Sequence, residues 1–131
     1  MSNANAELVT EMCRALTTGS MDNVIAFLAE DVFYHNLPYD PIVGKAAVKE
    51  FLGPFVDTPH GGVDKIEFHH TLADGNTVMN DRDETWRMKD TTVVLPVAGV
   101  FEVKDGLISR WLDYWDTATL QPILDRLASA D

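Results

Sequence analysis

In the stretch over residues 63–88, VDKIEFHHTLADGNTVMNDRDETWRM, polar and apolar side chains alternate before the triplet at 74–76, and every second residue after it forms a nearly all-polar set. Alternation with a period of two is typical of a β-strand with one dry face, and a run of Asp, Gly and Asn favours a tight turn. We therefore predict two antiparallel strands, over 63–72 and 77–88, joined at this turn.

Two more strands extend this pair into a meander. A turn at 89–90 leads into a long apolar segment over 91–103, and the hairpin-forming dipeptide Asp105-Gly106 leads into a last strand over 107–116. Four consecutive segments of this kind predict one antiparallel sheet.

The segment over 91–103 differs from its neighbours because it is apolar on both faces. Apolar side chains occur at Val93, Leu95 and Val97 on one face and at Val94, Ala98 and Val100 on the other. A strand in a sheet with one wet face should alternate, so we expect a second subunit to cover the outer face of this one. The sequence therefore predicts a homodimer.

Helical spacing of apolar residues dominates the rest of the chain. It predicts a helix over 8–16, a shorter helix over 20–28, a third over 44–55 and a last one over 118–128. An aromatic-rich segment over 32–37 predicts a strand between the second and third helices. Early helices packed over a strongly curved antiparallel or mixed sheet would give an α+β cone, with a cavity between the two layers.

Composition limits both the size of the fold and the class of partner. The 131 residues, 46% of them hydrophobic, fit a single domain over 1–131. The net charge of -11 is spread along the chain and opposes binding to nucleic acid or to anionic membranes. No stretch has the length of a membrane span or the pattern of a signal peptide, so we expect a cytoplasmic protein. Cys13, the one cysteine, is expected to be a small core residue.

The strand over 77–88 carries the candidate chemistry because its two faces differ. One face is nearly all polar and suits water, so Asn80, Arg82, Glu84 and Trp86 are expected to point inward from the other. An ionised group buried without a partner costs several kcal/mol, so Arg82 and Glu84 should bond to each other or to a further acid. The alternative is an ordinary salt bridge at the edge of the sheet.

Asp113 is an available further acid. It shares a strand face with Trp111 and Trp115, which would exclude water from its carboxylate. Burial raises the pKa of a carboxyl group and a neighbouring guanidinium lowers it, so one arginine between two acids can hold one protonated and the other ionised. In the alternative interpretation, Asp113 is a capping or surface acid near the end of its strand.

The histidines predict no comparable site. His69 and His70 are adjacent on a strand and should point to opposite faces, so they could not bind one metal ion together. His35 is expected to face away from Tyr34 and Asn36, which are two residues apart and share a side. The chain has no HxxxH motif, clustered Cys/His spacing or Gly-rich phosphate loop, so we expect no metal and no other cofactor.

Four short segments resemble limonene-1,2-epoxide hydrolase and its relatives in their order and spacing. They are Tyr34-His35-Asn36-Leu37-Pro38, Asp81-Arg82-Asp83-Glu84, Gly99-Val100-Phe101 and Trp111-Leu112-Asp113-Tyr114-Trp115-Asp116. The likeness covers about residues 5–120. It implies the bent-sheet, NTF2-like (SnoaL-like) cone fold, a dimer, and the opening of epoxides by one-step addition of water, with no covalent intermediate and no metal.

The resemblance also implies roles for individual residues. Asp113 would be the general base that activates water, and Tyr34 and Asn36 would fix that water in place. Arg82 would bridge the two acids, and Glu84 occupies the position of the general acid.

The pocket and the general acid add two further expectations. By the resemblance, Trp111 would line the substrate pocket, and Trp86, which faces inward, is expected to do the same. The family normally has aspartate at the position of Glu84, and the extra methylene moves the proton by more than ~1 Å, a displacement that can cost ~100-fold in rate. Asp83 is the nearest aspartate, but side chains alternate along a strand, so it is expected to lie on the face opposite Glu84.

Three functions are open at this point. The first is hydrolysis of a small or medium apolar epoxide to a diol. The second is an isomerase or cyclase reaction of the same fold, in which an acid abstracts a carbon-bound proton. The third is non-catalytic binding of a lipophilic small molecule. An arginine that joins the acids favours the first over the second, because it keeps a carboxylate ionised for water activation.

Overall fold

The computed structural model describes residues 3–129 and has the predicted α+β architecture, with helices packed on one face of a six-stranded mixed sheet. Along the chain the elements are α1 (Ala4–Ala15), α2 (Met21–Ile25), β1 (Leu28–Asn36), β2 (Ile42–Val43), α3 (Lys45–Val56), β3 (Gly61–Asp74), β4 (Thr77–Met88), β5 (Thr91–Lys104), β6 (Leu107–Tyr114) and α4 (Thr117–Ala128). A short 3₁₀ turn, Leu16–Thr18, continues α1.

The order of the strands in the sheet is β2-β1-β6-β5-β4-β3. Consecutive strands from β3 to β6 pair antiparallel, which confirms the predicted meander. β1 then pairs in parallel with β6, in a register that sets Tyr34 beside Trp111 and Asn36 beside Asp113. The two-residue strand β2, on the other side of β1, was not predicted. The parallel pairing brings residues from opposite ends of the chain to one place in the sheet.

Capping side chains and a glycine set where the N-terminal helices begin and end. The Oδ1 atom of Asn3 accepts hydrogen bonds from the backbone N–H groups of Asn5 and Ala6, at 2.9 and 3.1 Å, and so caps α1. Gly19 follows the 3₁₀ turn with a φ of 75°, a left-handed conformation that glycine adopts without strain, and Ser20 caps α2. None of the helices in the described part of the chain is both long and apolar enough to cross a membrane.

The second helix ends earlier than the sequence predicts. Leu28 was expected in that helix, but it is the first residue of β1, where it pairs with Ile108. The backbone N–H of Ile108 also donates to the carbonyl of Phe27 at 2.8 Å. Pairing with a distant strand therefore outweighs the helical spacing of apolar residues over 20–28.

Burial alternates along the two central strands. Every second residue of β4, from Val78 to Met88, is buried, as the two-face pattern predicted. β5 alternates as well, although both of its faces are apolar: Leu95 and Val97 are buried, whereas Val94 is 53% exposed. The second subunit expected to cover this outer face stays a prediction.

Candidate active site

The side chain of Arg82 joins two buried acids. Its Nε donates to Oε2 of Glu84 at 2.9 Å, and its Nη2 donates to both carboxylate oxygens of Asp113 at 3.0 Å. Its Nη1 donates to Oδ1 of Asn80 at 2.7 Å. The arginine side chain is 0% exposed, and those of the two acids are 5% and 8% exposed. The structure therefore brings together the charged residues that the sequence placed inward, and Arg82 contacts both acids.

A glycine on the intervening strand makes this contact possible. Gly99 lies in β5 between β4 and β6, paired with Asn80 on one side and Asp113 on the other. A Cβ atom at this position would lie 2.7 Å from Nη1 of Arg82 and 2.7 Å from a ring carbon of Phe101. Gly99 thus leaves the space through which the guanidinium passes over β5 to reach Asp113.

We expect Gly99→Ala to destabilise the protein by about 1–3 kcal/mol, because the added methyl group must displace a buried, fully bonded guanidinium and a packed ring. Urea denaturation at pH 7 measures the change. Gly53→Ala makes the same change in α3, where an added Cβ would have no tertiary contact within 4 Å, so this matched control should not be destabilising. Equal stabilities of the Gly99→Ala and unmutated proteins would contradict the close approach.

Tyr34 and Asn36 lie side by side, as predicted. The Nδ2 of Asn36 donates to the hydroxyl oxygen of Tyr34 at 2.8 Å, which leaves the phenolic O–H free to donate elsewhere. The Nε1 of Trp115 donates to Oδ1 of Asn36 at 3.0 Å and so fixes the orientation of the amide. This last bond could not be predicted from local pattern, because residues 36 and 115 are far apart along the chain.

A cavity of about 180 Å³ lies against these groups. Its polar lining comes from Tyr34, Asn36, Glu84 and Asp113. The remaining wall is mostly apolar, and Trp86 and Trp111 belong to it as predicted. A buried cavity of about 150 Å³ can hold benzene, so this volume suits a small apolar molecule with a polar reacting centre.

One positive charge faces two acids in this buried cluster. Burial raises the pKa of Asp113, the positive charge of Arg82 acts to lower it, and the Glu84 carboxylate adds to the rise, so the net pKa is raised. Burial acts to lower the pKa of Arg82, but the attraction to Asp113 and the further negative groups around it together outweigh burial, and the net pKa is raised. The guanidinium carries one positive charge and therefore balances only one of the two carboxylates that it contacts.

Two other buried groups stay neutral. Burial raises the pKa of the Tyr34 hydroxyl well above its ordinary value, and it raises the pKa of Cys13 to about 12. Cys13 is fully buried in the core, as predicted, where its sulfur accepts a weak hydrogen bond from Asn80 at 3.9 Å. The Nε1 atom of Trp111 is also buried, and it is a polar side-chain atom of the described residues that has no hydrogen-bond partner.

The expected orientation of the histidine pair was wrong. A β-bulge between Phe68 and His70 turns both histidines to the outer face of the sheet. There His69 is hydrogen-bonded to Asp83 at 3.1 Å and His70 to Asp81 at 2.9 Å. These exposed pairs lie on the face opposite the buried acids, and the pKa of His69 is raised by its bond to Asp83. Asp83 points outward, as predicted.

Comparison with protein families gives a match over residues 3–126 to the limonene-1,2-epoxide hydrolase catalytic domain. The chain is also 32% identical, over 109 residues, to the epoxide hydrolase EphG of Mycobacterium tuberculosis, with 82% of this chain and 70% of EphG covered. The family match extends over the segments that carry the buried acids, the arginine and the Tyr34/Asn36 pair.

Comparison with solved structures gives the same fold. An M. tuberculosis LEH-like epoxide hydrolase is 29% identical with a TM-score of 0.79, covering 94% of this chain and 90% of its own. A Kribbella flavida protein provisionally named as a ketosteroid isomerase is 26% identical with a TM-score of 0.68, covering 86% and 78%. Proteins with different assigned activities therefore share this NTF2-like cone fold, so the function of this chain has to be inferred from the residues of its site.

Proposed function

Since the chain belongs to the limonene-1,2-epoxide hydrolase family, we propose that it hydrolyses small or medium apolar epoxides to diols by one-step general acid and base catalysis. The observation that carries the proposal is the contact of one buried arginine, Arg82, with two carboxyl groups that line an apolar cavity. An ionised base and a protonated acid within one cluster are what epoxide opening by water requires.

The attacking water would be bound by three groups. The free O–H of Tyr34 and the amide of Asn36 are hydrogen-bonding groups on β1, and Asp113 is the strand neighbour of Asn36 on β6. In its ionised form, Asp113 accepts a proton from the water as the water oxygen attacks an epoxide carbon. Trp115 contributes indirectly, because it keeps the Asn36 amide in one orientation.

Protonation of the leaving oxygen is assigned to Glu84. As the epoxide C–O bond breaks, the Glu84 carboxyl group transfers its proton to the oxygen, and the product is a diol. Asp113 then holds the proton taken from water and Glu84 is ionised, so proton exchange between the pair, or with solvent, restores the starting state. Arg82 contacts both acids throughout and balances the single negative charge that the pair carries.

The proposal is tested by incubating the protein with limonene oxide, cyclohexene oxide and styrene oxide and measuring diols by mass spectrometry. A single turnover with excess enzyme in H₂¹⁸O should place the label in the diol, because water attacks the epoxide directly. Label in a protein carboxyl group would indicate a covalent intermediate instead. No diol from such a panel, with thermal stabilisation by the same compounds, would favour a non-catalytic binding protein.

The isomerase reading rests on the similarity to the Kribbella flavida protein. In that scheme an acid removes a proton from carbon, and a neutral hydrogen-bond donor stabilises the oxyanion. Deuterium exchange from D₂O into a cyclic ketone would identify it. The ion pairs from Arg82 to both acids argue for hydrolysis, because they favour a carboxylate ready to activate water.

We expect a bell-shaped dependence of kcat/KM on pH. The reactive form has one proton on the acid pair, so the rate falls when a second proton binds and when the first is lost. Because the pKa of Asp113 is raised, the acidic limb should lie above about pH 4, the ordinary pKa of an aspartate. Initial rates between about pH 4 and 10 measure the profile, and circular dichroism at each pH excludes unfolding. A rate that stays constant down to pH 4 would contradict the assignment.

A further inference from the structure

Both oxygens of the Glu84 carboxyl group accept hydrogen bonds from N–H donors on the same strand face. Oε2 accepts from Nε of Arg82 at 2.9 Å, and Oε1 accepts from the indole Nε1 of Trp86 at 3.0 Å. Glu84 and Trp86 are 4% and 7% exposed, so water has little access to this bond. The Trp86 ring is itself fixed by an edge-to-face contact with Phe55, with ring centroids 6.3 Å apart at 83°.

We propose that Trp86 is a positioning residue for the general acid, and that its indole N–H holds the Glu84 carboxyl group at the cavity wall where it can protonate an epoxide oxygen. The inference rests on the proposed function, because it assigns a partner to the acid of that reaction. It accounts for the use of glutamate, whose longer side chain reaches the indole two residues along the strand. An aspartate at 84 would be one methylene shorter and would retract from Trp86.

The indole N–H favours the products of proton transfer. It can only donate a hydrogen bond, so it interacts more strongly with the carboxylate that remains after Glu84 loses its proton. An interaction that strengthens as charge develops lowers the barrier rather than only increasing substrate affinity. It also restricts the additional torsion of a glutamate, which would otherwise place the proton less accurately.

Four other titratable groups face Glu84 from the surrounding elements. Arg82 on the same strand and Asp113 on β6 carry or share charge with it, and their own bond to each other does not involve Trp86. Cys13 on α1 and Tyr34 on β1 are neutral, because burial raises the pKa of each. A change in the pH profile on loss of the indole N–H therefore reports the bond to Glu84.

The test is Trp86→Phe, which retains an aromatic ring and removes the N–H. We expect kcat to fall by about 10²-fold, the loss typical of one donor to a developing charge, with KM changed less than about threefold. The alkaline limb of the pH profile should move to higher pH, because loss of a donor to the carboxylate makes the Glu84 proton harder to remove. Phe55→Leu is the packing control: it keeps the N–H, so the alkaline limb should stay in place even if KM changes.

A double-mutant cycle tests the pairing with glutamate. In Glu84→Asp the shorter acid no longer reaches the indole, so Trp86→Phe should lower kcat much less in that background than in the unmutated protein. Equal losses in both backgrounds, or an active Trp86→Phe enzyme with an unmoved alkaline limb, would overturn this inference alone.

An NMR measurement separates this inference from the proposed function. The sequence has three tryptophans, and the indole N–H resonance missing from Trp86→Phe belongs to Trp86. Its proton shift should move upfield in Glu84→Leu, which removes the acceptor of the indole N–H, and stay in place in Asp83→Asn. A Trp86 resonance at an unchanged shift in Glu84→Leu would overturn the inference. A resonance that moves as expected, in a protein that opens no epoxide when unmutated, would overturn the proposed function together with the catalytic role inferred here.

Discussion

Asp113→Asn is expected to lower kcat/KM for epoxide opening by about 10²–10⁴-fold, the contribution of a well-placed general base. The amide retains the shape of the carboxyl group, and its oxygen can still accept from Nη2 of Arg82. It cannot accept the proton that the attacking water must lose. Initial rates with the best epoxide of the panel measure the loss.

The same variant should lose the pH dependence of stability that Asp113 contributes, as measured by urea denaturation at several pH values. The pKa of Asp113 is raised in the folded state, so the folded protein binds more protons than the unfolded chain between about pH 4 and that raised pKa. Stability contributed by this group is therefore lost as the pH rises through that interval, and an uncharged amide avoids the loss.

Asp83→Asn, which changes an outward aspartate of β4, is the activity control for Asp113→Asn and should keep the rate within about twofold. An Asp113→Asn enzyme with an unchanged rate would exclude the base assignment.

Arg82→Met is expected to lower the free energy of unfolding by about 3–5 kcal/mol, the cost of removing one partner from a buried ion pair. The variant leaves the Glu84 and Asp113 carboxyl groups buried without their cation, and Asn80 loses its donor. Urea denaturation at pH 7 gives the value. The loss should be smaller at pH 5, because the acids then take up protons more readily and need the cation less.

A surface pair on the same strand provides the control for Arg82→Met. Arg87 contacts Asp64 at 3.0 Å, with both side chains about 40% exposed, so Arg87→Met should cost no more than about 1 kcal/mol. Adding Glu84→Leu and Asp113→Leu to Arg82→Met should recover part of the lost stability, since no unpaired charge is then buried. Similar costs for Arg82→Met and Arg87→Met would mean that the buried cluster is not an energetic unit.

Local pattern was enough to predict the strand that carries the acids. In β4 one face is nearly all polar and burial alternates without interruption, so the inward positions of Arg82 and Glu84 follow from the period of two and the polar character of the other face. A buried arginine needs further hydrogen-bond acceptors, and Asp113 was the available acid. It shares a strand face with two tryptophans, which favoured an inward position for its side chain. The homologous segments confirm the family but do not test the individual catalytic roles, which stay proposals.

Features that depend on pairing between residues far apart along the chain could not be predicted from the local sequence pattern. Leu28 fits a helix by spacing, and only Ile108, which is far along the chain, draws it into a strand. The bulge that turns His70 outward adds one residue to β3, and a single added residue reverses every later position in an alternating pattern. Gly99 was recognised only as part of a motif, because its role depends on an arginine from the neighbouring strand.

The position of β6 between β1 and β5 has a consequence for how the chain folds. The ribosome completes this strand after all the others, so until then β1 and β5 each present an unpaired edge. Pairing of β6 covers both edges and brings Asp113 beside Asn36 and into contact with Arg82. Chains that stall before residue 107 would lack Asp113 and carry two unpaired edges prone to aggregation.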